Sequence, residues 1–176
     1  MRKLLVLLPL MFLPFTTFAQ QTPNWVVFGG YSNLTANFNA TDFNLSGLNL
    51  SVTENLNSWF GGVLDFSDHF GTDNGVNTDI QTLTYGPVFS YRKAKRVVPF
   101  GHGLLGVVRG GPGYLDISKG EYRFGAYAGG GVDVQVTRNV ALRLIQADYL
   151  MTRFSNTRQD NLRLSAGIVL LLGKKQ

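Results

Sequence analysis

The feature that most constrains this chain is an alternation of apolar and small polar residues that recurs along most of its length. In residues 162–172 every second side chain is leucine, isoleucine or alanine, and the residues between them begin with Arg163, Ser165 and Gly167. Successive side chains of a β-strand point to opposite faces, whereas a helix would spread these leucines around its whole circumference. The pattern therefore predicts strands with one apolar and one polar face.

The same alternation predicts about eight strands. It is clear in residues 48–56, 60–67, 83–91, 122–136 and 162–172, and it is less regular in residues 25–37, 97–109 and 140–151. In the last of these, Arg143 is polar at an odd position, whereas Gln146 and Asp148 are polar at even positions. One extra residue near Ile145, forming a β-bulge, would explain the change of phase.

The polar face distinguishes a barrel in lipid from a barrel in water. It consists mostly of Gly, Ser, Thr and Asn, and only 15% of the chain is charged. A soluble domain has roughly a quarter to a third of its surface charged. Lipid offers the backbone no hydrogen-bond partner, so a spanning sheet must close on itself. We therefore predict an all-β, transmembrane, antiparallel up-and-down β-barrel whose apolar residues face the lipid.

The predicted connections alternate in length. Residues 55–58, 92–96 and 137–139 form short ones. The other four are longer and rich in Gly, Asn, Asp, Ser and Thr, namely residues 37–44, 71–79, 110–120 and 153–161. Outer-membrane barrels have short periplasmic turns and longer outer loops. This arrangement predicts that both ends of the barrel lie on the periplasmic side.

Residues 1–19 have the pattern of an export signal. Two basic residues precede the apolar residues 4–15, and Thr17 and Ala19 are small residues at the positions that a signal peptidase reads. The apolar run is short and contains two prolines, which disfavours a membrane helix. We expect cleavage after Ala19, leaving residues 20–176 as one barrel domain in the bacterial outer membrane.

Charge and cysteine content exclude several other functions. Cleavage would lower the 16 basic residues to 14, against 11 acidic ones, and the basic residues do not cluster on one predicted element. A nucleic-acid partner is therefore not expected. The chain contains no cysteine, so disulfides and cysteine metal sites are excluded. No cofactor is expected.

Two sets of residues are predicted from the strand pattern. Charged side chains in a narrow interior should pair, and about eight strands enclose a space that side chains just fill. We therefore expect an Arg–Asp network that plugs the lumen, with a gated ion path as the alternative. Its members would be Asp65, Arg92, Arg123, Asp133, Arg143 and Arg163. Aromatic girdles at the two lipid interfaces are predicted at Trp25, Trp59, Phe60, Tyr91 and Phe100 on one side and at Tyr122 and Phe154 on the other.

Several segments resemble the bacterial outer-membrane β-barrel family typified by the membrane domain of outer membrane protein A. They are Tyr85-Gly86-Pro87, the Pro-Phe-Gly start of residues 97–109, Gly129-Gly130-Gly131-Val132-Asp133, and residues 143–154 and 161–173. The resemblance covers the whole of residues 20–176 and implies an eight-stranded barrel. Family members often end on an aromatic residue, whereas this chain ends in Leu172-Gly173-Lys174-Lys175-Gln176.

Residues capable of chemistry are few. Hydrolysis would need a nucleophile beside a base. His69 and His102 have no serine at a characteristic spacing, so we interpret them as interfacial or loop histidines. Asp65, Asp68, Asp73 and Asp79 match no known calcium-loop motif and are interpreted as a solvated acidic loop.

We therefore predict a non-enzymatic barrel with a structural role or with surface interactions through its loops, above all residues 110–120. A narrow channel for small solutes or ions is the first alternative, and a lipid-modifying enzyme is the second. The expected partners are outer-membrane lipid, lipopolysaccharide and, during biogenesis, the barrel-assembly machinery. The sequence identifies no external ligand.

Overall fold

Eight antiparallel strands, each hydrogen-bonded to the next and the last to the first, form a closed barrel in the computed structural model. The structure describes residues 22–38, 41–73, 76–94, 96–112, 121–154 and 157–173, so the predicted signal lies outside it. The strands are β1 (Trp25–Phe38), β2 (Thr41–Asn55), β3 (Phe60–Asp73), β4 (Val76–Ser90), β5 (Val97–Pro112), β6 (Glu121–Gln135), β7 (Val140–Phe154) and β8 (Thr157–Leu172). The predicted fold class is confirmed.

None of the described residues belongs to a helix long and apolar enough to cross a membrane.

The stagger of the strands is ten residues. Direct partners can be followed once around the barrel from Leu34 of β1, through Arg163, Asp148, Gly129, His102, Val88, Gly61 and Asn55. The Asn55 amide then bonds to the carbonyl oxygen of Asn24, ten residues before Leu34. Stagger and strand number together set the tilt and the diameter of a barrel. They also bring side chains of non-adjacent strands together in the interior.

The predicted faces are confirmed along the strands. Leu48, Leu50, Leu64, Leu83 and Ile168 are all more than two-fifths exposed on the outer face. The inward rows include apolar residues as well as the predicted polar ones. One apolar cluster contains Leu34, Leu45, Val63, Ile80, Val88, Leu104, Val108, Tyr127 and Leu150, and a second contains Val26, Phe28, Ala141 and Val169. The lumen is therefore a packed core.

The predicted bulge in β7 is confirmed. Arg143 pairs with Asp133 of β6, and the next partner pair is Ile145 with Val132, so Leu144 is the extra residue on β7. Leu144 and Ile145 both lie on the exposed face, while Arg143 and Gln146 on either side are buried.

The prediction of four long outer connections is wrong for three of them. Only residues 39–40, 74–75 and 155–156 separate the paired strands there, because β1 to β4 and β7 to β8 continue into the predicted loops. Residues 113–120, eight of the eleven predicted, form the one longer connection on that side. A composition rich in Gly, Asn, Asp, Ser and Thr indicates a hydrated segment. A hydrated hairpin keeps the backbone hydrogen bonds between its strands, so composition does not show where strand pairing ends.

Candidate functional site

The interior is organised around the guanidinium of Arg163, which is fully buried on β8. Its Nη1 donates to Asp65 Oδ1 at 2.8 Å, and its Nη2 and Nε donate to Asp148 Oδ2 at 2.7 and 2.9 Å. The guanidinium carbon lies 4.7 Å from the centre of the Tyr127 ring. Asp65 is on β3, which is not a neighbour of β8. The Arg163–Asp65 pair therefore crosses the lumen.

Asp148 links Arg163 to His102 across an intervening strand. Nε2 of His102, on β5, lies 2.7 Å from Asp148 Oδ1, on β7. Gly129 of β6 is the direct backbone partner of both residues. A Cβ atom at Gly129 would overlap Asp148 Oδ1. The missing side chain is what allows the carboxylate to reach the histidine.

A second ion pair lies next to the β7 bulge. The Nε and Nη2 of Arg143 donate to the two carboxylate oxygens of Asp133 at 2.8 and 3.0 Å, and its Nη1 donates to Gln146 Oε1 at 2.6 Å. Gln146 in turn donates to Asp148 Oδ2 at 2.7 Å. The two ion-pair clusters are thus joined through one amide, in a low-dielectric space where bonds to charged groups are strong.

Phe100 is inside the barrel, so its predicted place in a girdle is wrong. Its ring centre lies 4.2 Å from the guanidinium carbon of Arg143, and the ring packs against the first apolar cluster. The direction follows from strand alternation, because Val98 and His102 on the same row of β5 are buried. Phe100 was predicted in the girdle because it lies near a strand end. Its place in the inward–outward alternation of β5, however, decides which face it occupies.

The other two predicted lumen residues lie near the two ends of the barrel. Arg92 is half-buried in the turn after β4, where its Nη2 donates to Asn55 Oδ1 at 2.9 Å. Burial lowers the pKa of Arg92 below its ordinary value, and the negative charge of Asp133 opposes that shift. Arg123 is half-buried on β6, directly paired with Val108 of β5.

The predicted girdle residues other than Phe100 are placed as follows. Trp25, Trp59, Tyr91 and Tyr122 are exposed on the outer surface by 44 to 58%. Phe60 packs with Trp59 and Phe89, at ring-centre distances of 5.6 and 5.3 Å. The side chain of Phe154 lies outside the described part of the structure.

An apolar layer covers the ion-pair clusters toward the outer hairpins. On several strands the inward residue nearer the hairpin is aliphatic, whereas the next inward residue toward the middle is polar. Leu34 follows Ser32 on β1, and Leu150 follows Asp148 on β7. Ile80, Val108 and Leu45 belong to the same buried cluster. Toward the opposite end, Asp65, Arg92, His102, Asp133 and Arg143 line a cavity of about 40 Å³, enough for about three water molecules.

The interpretation of the histidines as interfacial or loop residues is wrong. His69 is fully buried, and its Nε2 lies 2.8 Å from Ser32 Oγ, which is 2.9 Å from Ser165 Oγ. His102 is buried against Asp148. The pairing of His69 with Ser32 joins β3 to β1 across β2, a contact that sequence spacing does not reveal.

The four aspartates do not form one solvated cluster. Asp65 faces Arg163 in the lumen, and Asp79 Oδ2 accepts from Arg109 Nη1 at 3.2 Å at a buried position. The described residues contain no group of three or more His, Cys, Asp or Glu side chains that could hold a metal ion. The side chain of Asp73 lies outside the described part.

Known proteins similar to this chain are outer-membrane barrels. A family model of the outer membrane protein β-barrel domain matches residues 5–169. Neisserial surface protein A superposes with a TM-score of 0.72 at 15% identity, over 85% of this chain and 97% of that chain. The attachment invasion locus protein of Yersinia pestis gives 0.59 at 20% identity, over 84% and 99%. OprG from Pseudomonas aeruginosa gives 0.56 at 10% identity, over 86% and 97%. No curated protein sequence matches this one.

Proposed function

This chain belongs to the family of outer membrane protein β-barrel domains, and from that premise we propose that it is a closed, non-enzymatic barrel with a structural role or with surface interactions through its outer hairpins. The protein resides in the bacterial outer membrane. The solved barrels that resemble it are 10 to 20% identical to it, so they share its fold and give no information on its ligand.

The observation that supports a closed lumen is the bridge from Arg163 to Asp65. It connects strands that are not neighbours, and both side chains are at most 2% exposed. A hydrated pore would leave water-accessible charges along its wall, whereas these charges are saturated by one another. The apolar layer of Leu34, Leu45 and Ile80 lies between them and the outer hairpins. An ion entering from that side would have to shed its hydration shell.

The barrel has a proposed orientation. Trp25 and Leu172, the first and last strand residues, are direct partners at one end. We place that end in the periplasm, where an exported chain lacking residues 1–19 would leave both termini. The opposite hairpins then face outward and contact lipopolysaccharide, and the lipid-facing rows form in contact with the barrel-assembly machinery. We expect intact-mass measurement of the purified protein to give a chain beginning at Gln20.

Planar-bilayer recording tests the closed lumen. We expect the purified wild-type barrel to show no steady conductance above that of protein-free bilayers. A variant with Arg163→Ser, Asp65→Ser and Asp148→Ser removes the bridge and its charges together, and we expect discrete conductance steps from it. Steady conductance of the wild type, at a level that this triple variant does not raise, would contradict the proposal.

A narrow channel is the second candidate, and the cavity of about 40 Å³ favours it. This cavity is lined by charged side chains and reaches Asp65 from the periplasmic end. In a channel, movement of Arg163 away from Asp65 would extend the cavity toward the apolar layer of Leu34, Leu45 and Ile80, which would also have to open. Voltage-dependent opening of the wild type in the same recordings would favour this function.

A lipid-modifying enzyme is the third candidate, because Ser32 and His69 form a hydroxyl–imidazole pair. Within the described residues, however, Nδ1 of His69 has no hydrogen-bond partner, so no carboxylate orients the ring as in a catalytic triad. Both residues are fully buried, which denies a lipid access. Mass analysis of lipid A from cells with and without the protein would show a new species if this function were present.

A further inference from the structure

An aromatic-walled groove lies on the outer face of the barrel at its proposed periplasmic end. It is a shallow groove, largely open to its surroundings, with a volume of about 380 Å³, and its lining includes Trp59, Phe89, Tyr91, Pro99 and Gly101. The Trp59 and Phe89 rings are stacked, with centres 6.0 Å apart and planes 18° apart. The wall is therefore a rigid apolar surface at the level where hydrocarbon meets lipid headgroups.

The floor of the groove includes a glycine, Gly101, that the protein's own packing does not require. A Cβ atom at Gly101 would have its nearest neighbour, Gly129 O, at 3.6 Å, which is an ordinary van der Waals contact. In contrast, a Cβ at Gly86 or Gly106 would overlap the backbone of the adjacent strand. The groove thus exists in part because one outward position of β5, Gly101, lacks a side chain although there is room for one.

The turn that borders this groove concentrates positive charge. Between Tyr91 and the start of β5 the sequence is Arg-Lys-Ala-Lys-Arg, whereas residues 56–59 contain no basic residue and residues 136–139 contain one, Arg138. Arg92 turns inward to Asn55, while Lys93 is exposed and Arg96 is half-buried. A basic turn beside an apolar groove complements a ligand with a negative head and a hydrocarbon tail.

We propose that the groove binds an anionic phospholipid of the periplasmic leaflet, with one acyl chain over Gly101 against Trp59 and Phe89 and the phosphate beside Lys93 and Arg96. Lipopolysaccharide is not the occupant, because it would lie at the opposite end of the barrel. The proposal depends on the periplasmic orientation given above. It does not depend on whether the lumen conducts.

Quenching of Trp59 fluorescence by brominated lipid tests this site. The chain has two tryptophans, so Trp25→Phe leaves Trp59 as the reporter. The barrel is refolded into phosphatidylcholine vesicles containing a minor fraction of either phosphatidylglycerol or phosphatidylcholine brominated on its acyl chains. We expect the apparent affinity for the phosphatidylglycerol to be about fivefold higher, the effect of roughly one favourable charge contact.

Two variants in the Trp25→Phe background separate the groove from general attraction of anionic lipid. Gly101→Leu fills the floor and should reduce quenching by either brominated lipid, with Gly101→Ala giving a smaller effect in the same direction. Ala166→Leu, on the exposed face of β8, is the matched control and should leave quenching unchanged. Lys93→Gln with Arg96→Gln should remove the preference for phosphatidylglycerol, whereas Arg138→Gln should retain it.

Heat-modifiable migration on a gel verifies that each variant forms the barrel. Equal quenching of Trp59 by the two brominated lipids would overturn the proposal. So would a preference for phosphatidylglycerol that Gly101→Leu and Gly101→Ala leave intact, because this would show attraction by charge without occupancy of the groove. Failure of the closed-lumen proposal would appear only in the conductance recordings, so the two outcomes are distinguishable.

Discussion

At the centre of the barrel, one arginine faces two aspartates, and all three side chains are at most 2% exposed. Burying a charge is costly unless its partners replace the lost hydration, and a buried ion pair often stabilises no more than a well-packed apolar group would. The main effect of the contacts of Arg163 with Asp65 and Asp148 is therefore to select one arrangement of the interior. Their contribution to stability is smaller. Removing Arg163 alone leaves both carboxylates without their cation, whereas removing one aspartate leaves Arg163 paired with the other.

Arg163→Met is expected to lower the free energy of unfolding by about 3–5 kcal/mol, because Asp65 and Asp148 would remain buried without their cation. Urea unfolding in detergent micelles, followed by tryptophan fluorescence, measures this change. The control variant adds Asp65→Leu and Asp148→Leu to Arg163→Met, which removes all three charges. This triple variant should recover much of the lost free energy of unfolding. An Arg163→Met variant as stable as the wild type would contradict the prediction.

Gly129→Ala should destabilise the barrel by about 1–3 kcal/mol, because its methyl group would overlap both Asp148 Oδ1 and the Ala147 carbonyl. It should also separate Asp148 from His102. The matched change is Gly103→Ala on the adjacent strand, where a Cβ has no atom within 4 Å. The same urea titration compares the two, and equal effects would show that the space at Gly129 is not needed.

Strand parity predicted inward positions for Asp65, Asp133, Arg143 and Arg163, but the predicted set omitted the buried Asp79, Arg109 and Asp148. It also did not show which of the inward charges meet. The inward directions of the Asp65 and Arg163 side chains follow from the alternation of their own strands. Their contact depends on the ten-residue stagger, which is a property of the closed barrel and appears in no single strand. Asp148 and Gln146 could have been included from the change of phase in residues 140–151. The partners of His69 and His102 could not have been predicted, because each histidine bonds to a residue two strands away.

At the scale of the strand, one extra residue in β7 keeps the polar residues on both sides of the bulge pointing inward. With Leu144 and Ile145 both outward, Arg143 meets Asp133 and Asp148 meets Arg163. Without the bulge, one of these ion pairs would have a member on the lipid-facing side. The bulge was predictable because the sequence changes phase there. The ends of β1 to β4, β7 and β8 were not, since polar residues continue through paired hairpins.

Deletion of Leu144 should give a folded barrel, because Arg143, Ile145 and Gln146 would then alternate without interruption. Deletion of Ala147 should strongly reduce the folded fraction, because it forces either Asp148 or Gln146 onto the lipid-facing row, where a polar side chain is costly. Refolding by dilution from urea into micelles, scored by heat-modifiable migration, measures both fractions. Similar yields for the two deletions would indicate that the register of β7 is not fixed by these polar residues.

At the scale of the whole molecule, the apolar and polar faces are inverted relative to a soluble protein, but the interior is not simply polar. The outer face was predictable from composition, because too few charged residues were present to cover it. The aliphatic layer of Leu34, Leu45, Ile80, Val108 and Leu150 was not anticipated. These residues lie on the inward row near the outer ends of their strands, where the sequence alternation is weakest.

The proposed orientation predicts where trypsin cuts the protein on intact cells. Lys119 lies in the connection between β5 and β6 on the outer side, whereas Lys93, Arg96 and Arg138 lie in turns at the opposite end. We expect cleavage after Lys119, but none after Lys93, Arg96 or Arg138. The three shorter outer connections, residues 39–40, 74–75 and 155–156, contain no lysine or arginine for trypsin to recognise. The β-strands should remain paired, because their backbone hydrogen bonds lie in the barrel wall and do not fit a protease cleft.

The fragments are identified by mass spectrometry after the outer membrane is isolated. Permeabilised cells are the control, since trypsin then reaches the periplasm and should also cut after Lys93. Cleavage after Lys93 on intact cells, with Lys119 protected, would reverse the orientation. In that case the basic turn and its aromatic groove would face the lipopolysaccharide leaflet, where the phosphate groups of that lipid, and not those of a phospholipid, would be the anions within reach of Lys93.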